Sequence, residues 1–191
     1  MKKEKTISVL FLVQSAMIAA IYVVLTIVFA PISFGQIQFR IAEALTILPA
    51  FTPAAIPGLF VGCLIGNILG GAILPDIIVG SMATLLGAIF TYLLRNRSKW
   101  LAPLPPIIAN TVLIPFVLYY GYQILLPIPF QMLTVGIGEV LSCGILGMIV
   151  YTALNKYKTV IFRQSQKGRS SFTENKFSQR LLPFSVISYN R

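Results

Sequence analysis

Four ionisable residues stand inside long apolar stretches of this 191-residue chain: Arg40, Glu43, Asp76 and Glu139. An ionisable side chain in such a stretch is costly, and it usually faces a binding site or an ion path. The amide of Asn67 lies in a neighbouring apolar stretch. Carboxylates, a guanidinium and an amide together supply hydrogen-bond acceptors and donors. These five residues are therefore the candidate binding site for a small polar ligand.

Each charged residue also has an interpretation that needs no ligand. Arg40 and Glu43 are three residues apart, so on one helical face they could pair with each other. Asp76 could cap the start of a helix, where acidic residues are favourable. Glu139 has no evident partner on its own helix, so a cation, a donor-rich ligand or a proton must neutralise it.

Six apolar stretches make up most of the chain. The protein is 57% hydrophobic and 10% charged, whereas a soluble domain carries about a quarter charged residues. The stretches are 7–29, 41–51, 58–74, 76–94, 105–125 and 131–154. A spanning helix needs about 20 apolar residues, so the second stretch is a short or half-spanning helix. The sequence predicts an all-α, polytopic membrane protein with a six-helix bundle.

The basic residues form three clusters that flank the apolar stretches, at 2–5, 95–99 and 156–191. This placement indicates membrane orientation, so the net charge of +10 does not predict nucleic-acid binding. Six crossings put all three clusters on one side, which the positive-inside rule makes the cytoplasm. Five crossings would leave the first cluster outside. We predict a multi-pass protein of the cell membrane with both termini cytoplasmic.

This topology assigns a depth to the five candidate residues. Arg40, Glu43 and Asp76 begin the second and fourth helices at the outer side, and Asn67 lies in the outer half of the third. Glu139 is about eight residues into the sixth helix, roughly 12 Å from its outer end. All five are expected to converge in the outer half of the bundle. Such a cluster is typical of a capture site open to the outside.

The remaining polar residues receive plainer interpretations. Asn110, near the inner end of the fifth helix, is expected to bridge two helices. Three tyrosines near the outer end of that helix predict an interfacial belt, although one of them could cover a flat ligand. They are Tyr119, Tyr120 and Tyr122.

Small residues recur at four-residue spacing on two helices. The third helix carries Gly58, Gly62, Gly66 and Gly70, which predict close packing inside the bundle; a sliding or oligomer surface is the alternative. The first helix carries Ala16 and Ala20, in its inner half. They could pack within the chain or form a docking face for another membrane helix.

Two cysteines, Cys63 and Cys143, fall inside helices and are interpreted as small buried residues without a disulfide. The chain has no histidine. Metal sites built on His or Cys clusters therefore have too few ligands, and the commonest general base is missing. We predict no metal, no cofactor and no enzyme activity. The helical domain is expected to cover 1–157, and 158–191 to form a polar cytoplasmic tail.

Several ordered motifs resemble one known family, over roughly residues 5–157. They are APISFGQIQFRIAEALTILP (30–49), FTPAAIPGLF (51–60), GNILGG (66–71), Asp76 with GSMAT (80–84), LAPLPP (101–106) and VGIGE (135–139). The family is QueT, the proposed queuosine-precursor transporters, which are similar to substrate-binding S components of energy-coupling factor (ECF) transporters. The tail beyond about 160 matches no motif of the family.

The resemblance implies a six-helix S-component fold and a division of labour. A transmembrane coupling protein and two cytoplasmic ATPases form the energising module, which fits a chain without a Gly-x-x-x-x-Gly-Lys-Ser/Thr phosphate loop. In such S components an Ala-x-x-x-Ala pattern on the first helix docks onto the coupling protein. Ala16 and Ala20 match that pattern.

The ligand implied by the resemblance is a 7-deazaguanine: the cyano precursor preQ0, the aminomethyl precursor preQ1, or queuine. Its guanine-like edge offers adjacent N–H donors that one carboxylate can accept together, and a carbonyl that an arginine or amide can bind. We expect Glu43 or Glu139 to accept from the N–H edge. Arg40 and Asn67 would bind the carbonyl or orient the carboxylates.

Two other functions are compatible with parts of the pattern. A stand-alone proton-coupled carrier would use Glu139 as its proton site, but no inverted repeat is visible between the halves. A small membrane enzyme acting on a lipid or phosphorylated substrate would need a His, Ser or Asp constellation that the sequence does not supply.

Overall fold

Every regular element in the described residues, 9–33 and 40–161, is helical in the computed structural model. Six helices are numbered in chain order: α1 (Val9–Val28), α2 (Ile41–Ala50), α3 (Ala55–Leu69), α4 (Leu74–Leu94), α5 (Leu104–Phe116) and α6 (Ile128–Glu139). The helix α2 is a 3₁₀ helix, and a π-helical turn, Val117–Gly121, extends α5. A π-helical segment, Val140–Leu146, and an α-helical one, Gly147–Ile161, continue α6. The predictions of an all-α fold, of six helices and of a short second helix are confirmed.

The helix lengths suit a bilayer. Four helical segments are long and apolar enough to cross one: Val9–Val28, Leu74–Leu94, Lys99–Gly121 and Ile128–Tyr157. The helices α2 and α3 are apolar but shorter. The predicted tail lies almost entirely outside the described residues, so its boundary stays a prediction.

Prolines and glycines move the ends of the helices away from the predicted positions. The helix α3 begins at Ala55, three residues before the predicted Gly58, because Pro57 fits the first turn, where its missing N–H costs nothing. It ends at Leu69 rather than Leu74, since Gly70 closes it and Gly71 adopts φ 78°. Residues that carry a side chain rarely adopt this left-handed backbone conformation, whereas glycine adopts it at no steric cost.

The bundle has an apolar surface, and polar side chains lie among the apolar ones of its core. Met17, Ile68 and Leu133 are typical of its surface, at 59%, 53% and 60% exposure. Its buried side chains include ionisable and amide groups on five of the six helices or at their starts: Arg40, Glu43, Asn67, Asp76, Asn110, Gln131 and Glu139. An apolar surface with buried charges suits helices surrounded by lipid.

The glycine ridge of α3 packs against α1. A Cβ on Gly58 would lie 2.7 Å from the carbonyl oxygen of Ser15, and one on Gly62 would lie 2.9 Å from the Cβ of Tyr22. On Gly66 it would lie 3.1 Å from the hydroxyl of Thr26. The prediction of close packing inside the bundle is confirmed for these three glycines. Gly70 follows them as the residue that ends α3.

We predict that Gly62→Ala destabilises the protein by about 1–3 kcal/mol, because the added methyl overpacks a contact that includes the backbone of Ala19. Gly144→Ala is the matched control, since its Cβ meets only side-chain carbons at 3.7 and 3.9 Å. The control should gain up to about 1 kcal/mol of helix propensity. Thermal unfolding of both variants in detergent measures the difference. Equal midpoints would refute the tight α1–α3 contact.

Candidate functional site

A buried ion pair joins the starts of α2 and α4. Arg40 Nη2 donates to both carboxylate oxygens of Asp76, at 3.2 and 3.1 Å, and their side chains are 6% and 0% exposed. Arg40 therefore forms its ion pair with a residue 36 positions away, and the predicted pairing with Glu43 is wrong. The interpretation of Asp76 as the helix cap is also wrong. The residue at the N-cap position of α4 is Ile73, and no side-chain hydrogen bond caps this end of the helix.

Tyr122 extends this ion pair toward the end of α5. Its hydroxyl donates to Asp76 Oδ2 at 3.0 Å. Burial raises the pKa of Tyr122, and the nearby Asp76 carboxylate raises it further. The hydroxyl therefore stays protonated and remains a donor at neutral pH. Tyr120 is 72% exposed, as expected of an interfacial belt, whereas Tyr122 is half-buried and bonded to Asp76.

Asn67 and Gly80 complete this end of the site. Asn67 Nδ2 lies 3.5 Å from the sulfur of Cys63. A Cβ on Gly80 would lie 3.2 Å from Asp76 Oδ1, 3.3 Å from Asn67 Nδ2 and 3.6 Å from Arg40 Nη1. Three of the five predicted site residues therefore surround Gly80, which leaves a space between them because it has no side chain.

Glu43, on the short helix α2, is anchored through one oxygen only. Its Oε1 accepts from the hydroxyl of Tyr22 at 2.5 Å and from that of Thr84 at 3.4 Å. Its Oε2 is buried without a hydrogen-bond partner among the residues that the structure describes, and Glu43 is 1% exposed. A buried carboxylate oxygen without a donor is costly, so this atom is available for a ligand.

Glu139 lies deeper in its helix than the sequence suggested. Because α6 begins at Ile128, Glu139 is 11 residues from its start, about 17 Å at 1.5 Å per residue. Asn110 Nδ2 donates to its Oε1 at 2.9 Å, and the thiol of Cys143 donates to its Oε2 at 3.1 Å. Glu139 does have a partner on its own helix, one turn later. Asn110 bridges α5 and α6, as predicted.

The two halves of the site form one network. The Cys143 sulfur also lies 3.4 Å from the backbone oxygen of Glu43. One ligand-capable atom from each of Glu43, Glu139 and Cys143 lies within 4.8 Å of the others. The hydroxyl of Thr84 lies 3.4 Å from the sulfur of Cys63 and so links Glu43 to Asn67. Polar contacts are thus continuous from Asn67 to Glu139, and Asn67 shares the space beside Gly80 with the Arg40–Asp76 pair.

A metal ion is a poor match for this network. Glu43, Glu139 and Cys143 supply three donor atoms, whereas a structural zinc site has four ligands. The Cys143 thiol uses its proton on Glu139, and a metal would require that proton to leave. The arrangement is better suited to hydrogen bonding an organic ligand.

Besides Asn110 and Tyr122, which received other interpretations, four residues of the network were not among the predicted site residues. Tyr22, Cys63, Thr84 and Cys143 were read as belonging to apolar helices, and their polar atoms point inward. Both cysteines are buried free thiols, as expected, but they also take part in hydrogen bonds. A hydroxyl within a spanning helix, such as that of Tyr22, was the available signal. The four-residue spacing of Glu139 and Cys143 was another.

The predicted docking residues lie on a free face of α1. Ala16 and Ala20 are exposed, and so are their neighbours Met17 and Val24, at 59% and 57%. The opposite face of α1 carries Tyr22 and packs on α3. The two alanines therefore do not serve the packing against α3.

Comparison with known proteins places the chain among transporters. The model of the family described as QueT transporter matches residues 12–156. The "Queuosine precursor transporter QueT" of Lactococcus lactis subsp. cremoris (strain MG1363) is 39% identical over 101 residues. That stretch covers 52% of this chain and 57% of the relative. No solved structure matches.

We predict that Arg40→Met destabilises the protein by about 3–5 kcal/mol, because it leaves the Asp76 carboxylate buried without its cation. Arg97→Met, at an exposed position, is the control and should change the free energy of unfolding by less than about 1 kcal/mol. The double variant Arg40→Met, Asp76→Leu should recover most of the loss. Unfolding midpoints in detergent measure all three. A single variant as stable as the control would contradict the buried pair.

Proposed function

This chain belongs to the QueT transporter family, and from that membership we propose that it is the substrate-binding subunit of an ATP-driven importer. It is a multi-pass membrane protein of helical fold. In the proposal it captures a queuosine precursor from outside the cell and passes it across the membrane. The ligand is a 7-deazaguanine such as preQ0, preQ1 or queuine. The chain acts as a binding protein rather than an enzyme.

One observation carries the proposal: the five candidate residues are all buried inside the same bundle, where three of them surround Gly80 and the other two lie close to each other. Acceptors and donors alternate there, from the Arg40–Asp76 pair to the Asn110–Glu139 bond. A flat base with adjacent N–H donors and a carbonyl needs this mixture. The Glu43 Oε2 atom, buried without a partner, is an acceptor that the protein itself leaves unused.

The orientation follows from the two ends of α4. Asp76 lies in its first turn, and Arg95 directly follows its last residue. At 1.5 Å per residue the 21-residue helix separates them by about 30 Å, the thickness of a bilayer core. The positive-inside rule assigns the basic loop 95–99 to the cytoplasm. The ion pair then lies toward the outside, and both termini lie in the cytoplasm.

Energy would come from partner proteins. The 191 residues contain no phosphate loop, so we propose an ECF-type module with a coupling protein and two ATPases. The exposed face of Ala16 and Ala20 is the docking surface for the coupling protein. Ala16 follows Ser15, which contacts Gly58 at the start of α3, far from Asn67 and Asp76. This end of α1 is the cytoplasmic one in the proposed orientation.

We predict that the isolated chain, purified in detergent, binds at least one of preQ0, preQ1 and queuine about tenfold or more tightly than guanine. A tenfold ratio corresponds to about 1.4 kcal/mol. Titration calorimetry with the four bases measures the order of affinity. Guanine binding as tightly as all three precursors would sink the substrate assignment.

We predict that Ala16→Leu with Ala20→Leu abolishes uptake of the precursor while binding by the isolated chain stays within about threefold. The larger side chains would block close approach of a partner helix, and these positions are exposed and remote from the network. Ile108→Leu with Val112→Leu, four residues apart on the exposed surface of α5, is the control and should leave uptake intact. Full uptake by cells that lack the ATPases would instead indicate a proton-coupled carrier.

A further inference from the structure

The apolar part of the chain carries more acids than bases, and this imbalance follows from the sequence alone. Between Lys5 and Arg95, and between Lys99 and Lys156, the charged residues are Arg40, Glu43, Asp76 and Glu139. Three carboxyl groups therefore accompany one guanidinium. The ion pair with Asp76 balances the charge of Arg40. Glu43 and Glu139 remain without a matching positive side chain in these stretches.

The two unmatched carboxyl groups are neighbours. One oxygen of each lies within 4.8 Å of the other and of the sulfur of Cys143. Both residues are buried, at 1% and 4% exposure. Two carboxylates so close together in a low-dielectric interior repel each other strongly unless a cation or a proton joins them. Glu43 Oε2 has no donor of its own, which gives the cation an open position.

The surrounding donors favour the ionised state of the pair. Tyr22 donates to Glu43, and Asn110 donates to Glu139. The amide nitrogen of Asn110 can only donate, and hydrogen bonds to a carboxylate favour its charged form. These hydrogen bonds offset part of the cost of burying two carboxylates, and a positive charge on a ligand would offset the rest.

We infer that the Glu43–Glu139 pair binds a protonated amine carried by the ligand. This inference rests on the proposed function. Of the two small precursors, preQ1 carries an aminomethyl group that is positively charged at neutral pH, whereas preQ0 carries a neutral nitrile on the same base. The ammonium has three donors and one charge, which suit two adjacent carboxylates with an unpartnered oxygen.

This assignment also orients the base. The amine and the N–H edge are at opposite ends of a bicyclic 7-deazaguanine. Because one oxygen of each carboxylate lies within 4.8 Å of the other, the pair can contact only one end of the base. With the amine at Glu43 and Glu139, the N–H edge is directed toward Asn67 and Asp76, whose side chains carry acceptors. In this arrangement Glu43 and Glu139 bind the amine and do not accept from the N–H edge, which is the role that the sequence analysis expected of one of them.

The test compares preQ1 with preQ0 on the isolated chain by titration calorimetry. We expect preQ1 to bind at least tenfold more tightly. Glu139→Gln should weaken preQ1 at least tenfold and change preQ0 less than threefold. Glu174→Gln, beyond the family match at 12–156, is the matched control and should change neither. If Glu139→Gln does not fold, Glu43→Gln and the wild-type ratio provide the same comparison.

Three results would overturn the inference. One is preQ0 binding as tightly as preQ1 to the wild-type chain. The second is an equal loss of both ligands in Glu139→Gln. The third is binding that requires added Zn²⁺ and disappears with a chelator, which would make the pair a metal site. Guanine binding as tightly as all precursors would instead refute the proposed function, and the inference with it.

Discussion

A polar side chain inside an apolar bundle must find its partner within the bundle, and this requirement determines how the helices of this chain meet. Arg40 and Asp76 connect the starts of α2 and α4. Glu43 connects α2 to α1 through Tyr22 and to α4 through Thr84. Each bond spans two helices, so the packing of the bundle and the geometry of the site are one problem.

The small residues of α3 make these bonds possible. Gly62 brings α1 so close that a Cβ would lie 2.9 Å from that of Tyr22. At that separation the hydroxyl of Tyr22 donates a hydrogen bond to Glu43 on α2. Van der Waals packing of small residues is a principal source of helix association in lipid. The glycine ridge therefore has a functional consequence, because it positions a donor of the candidate site.

The sequence predicted the helices and the polar residues of their interior better than it predicted the partners of those residues. Apolar length and proline positions determine the helices, and both can be read directly. The partner of Arg40 could not be predicted from the sequence, because pairing of side chains three residues apart assumes a helical backbone. Arg40 precedes α2 with φ −94° and ψ 101°, an extended conformation that directs it away from the face of Glu43. The role of Cys143 was missed because a thiol in an apolar helix was counted as an apolar group.

The cost of the polar interior is itself an argument about function. Buried ion pairs can be replaced by apolar side chains with little or no loss of stability, so the bundle does not need charges to hold together. The two π-helical segments adjoin the same network: Val117–Gly121 precedes Tyr122, and Val140–Leu146 follows Glu139. Such segments interrupt the regular hydrogen bonding of a helix and are frequent at functional sites. Costly charges and irregular backbone thus coincide where the proposed ligand would bind.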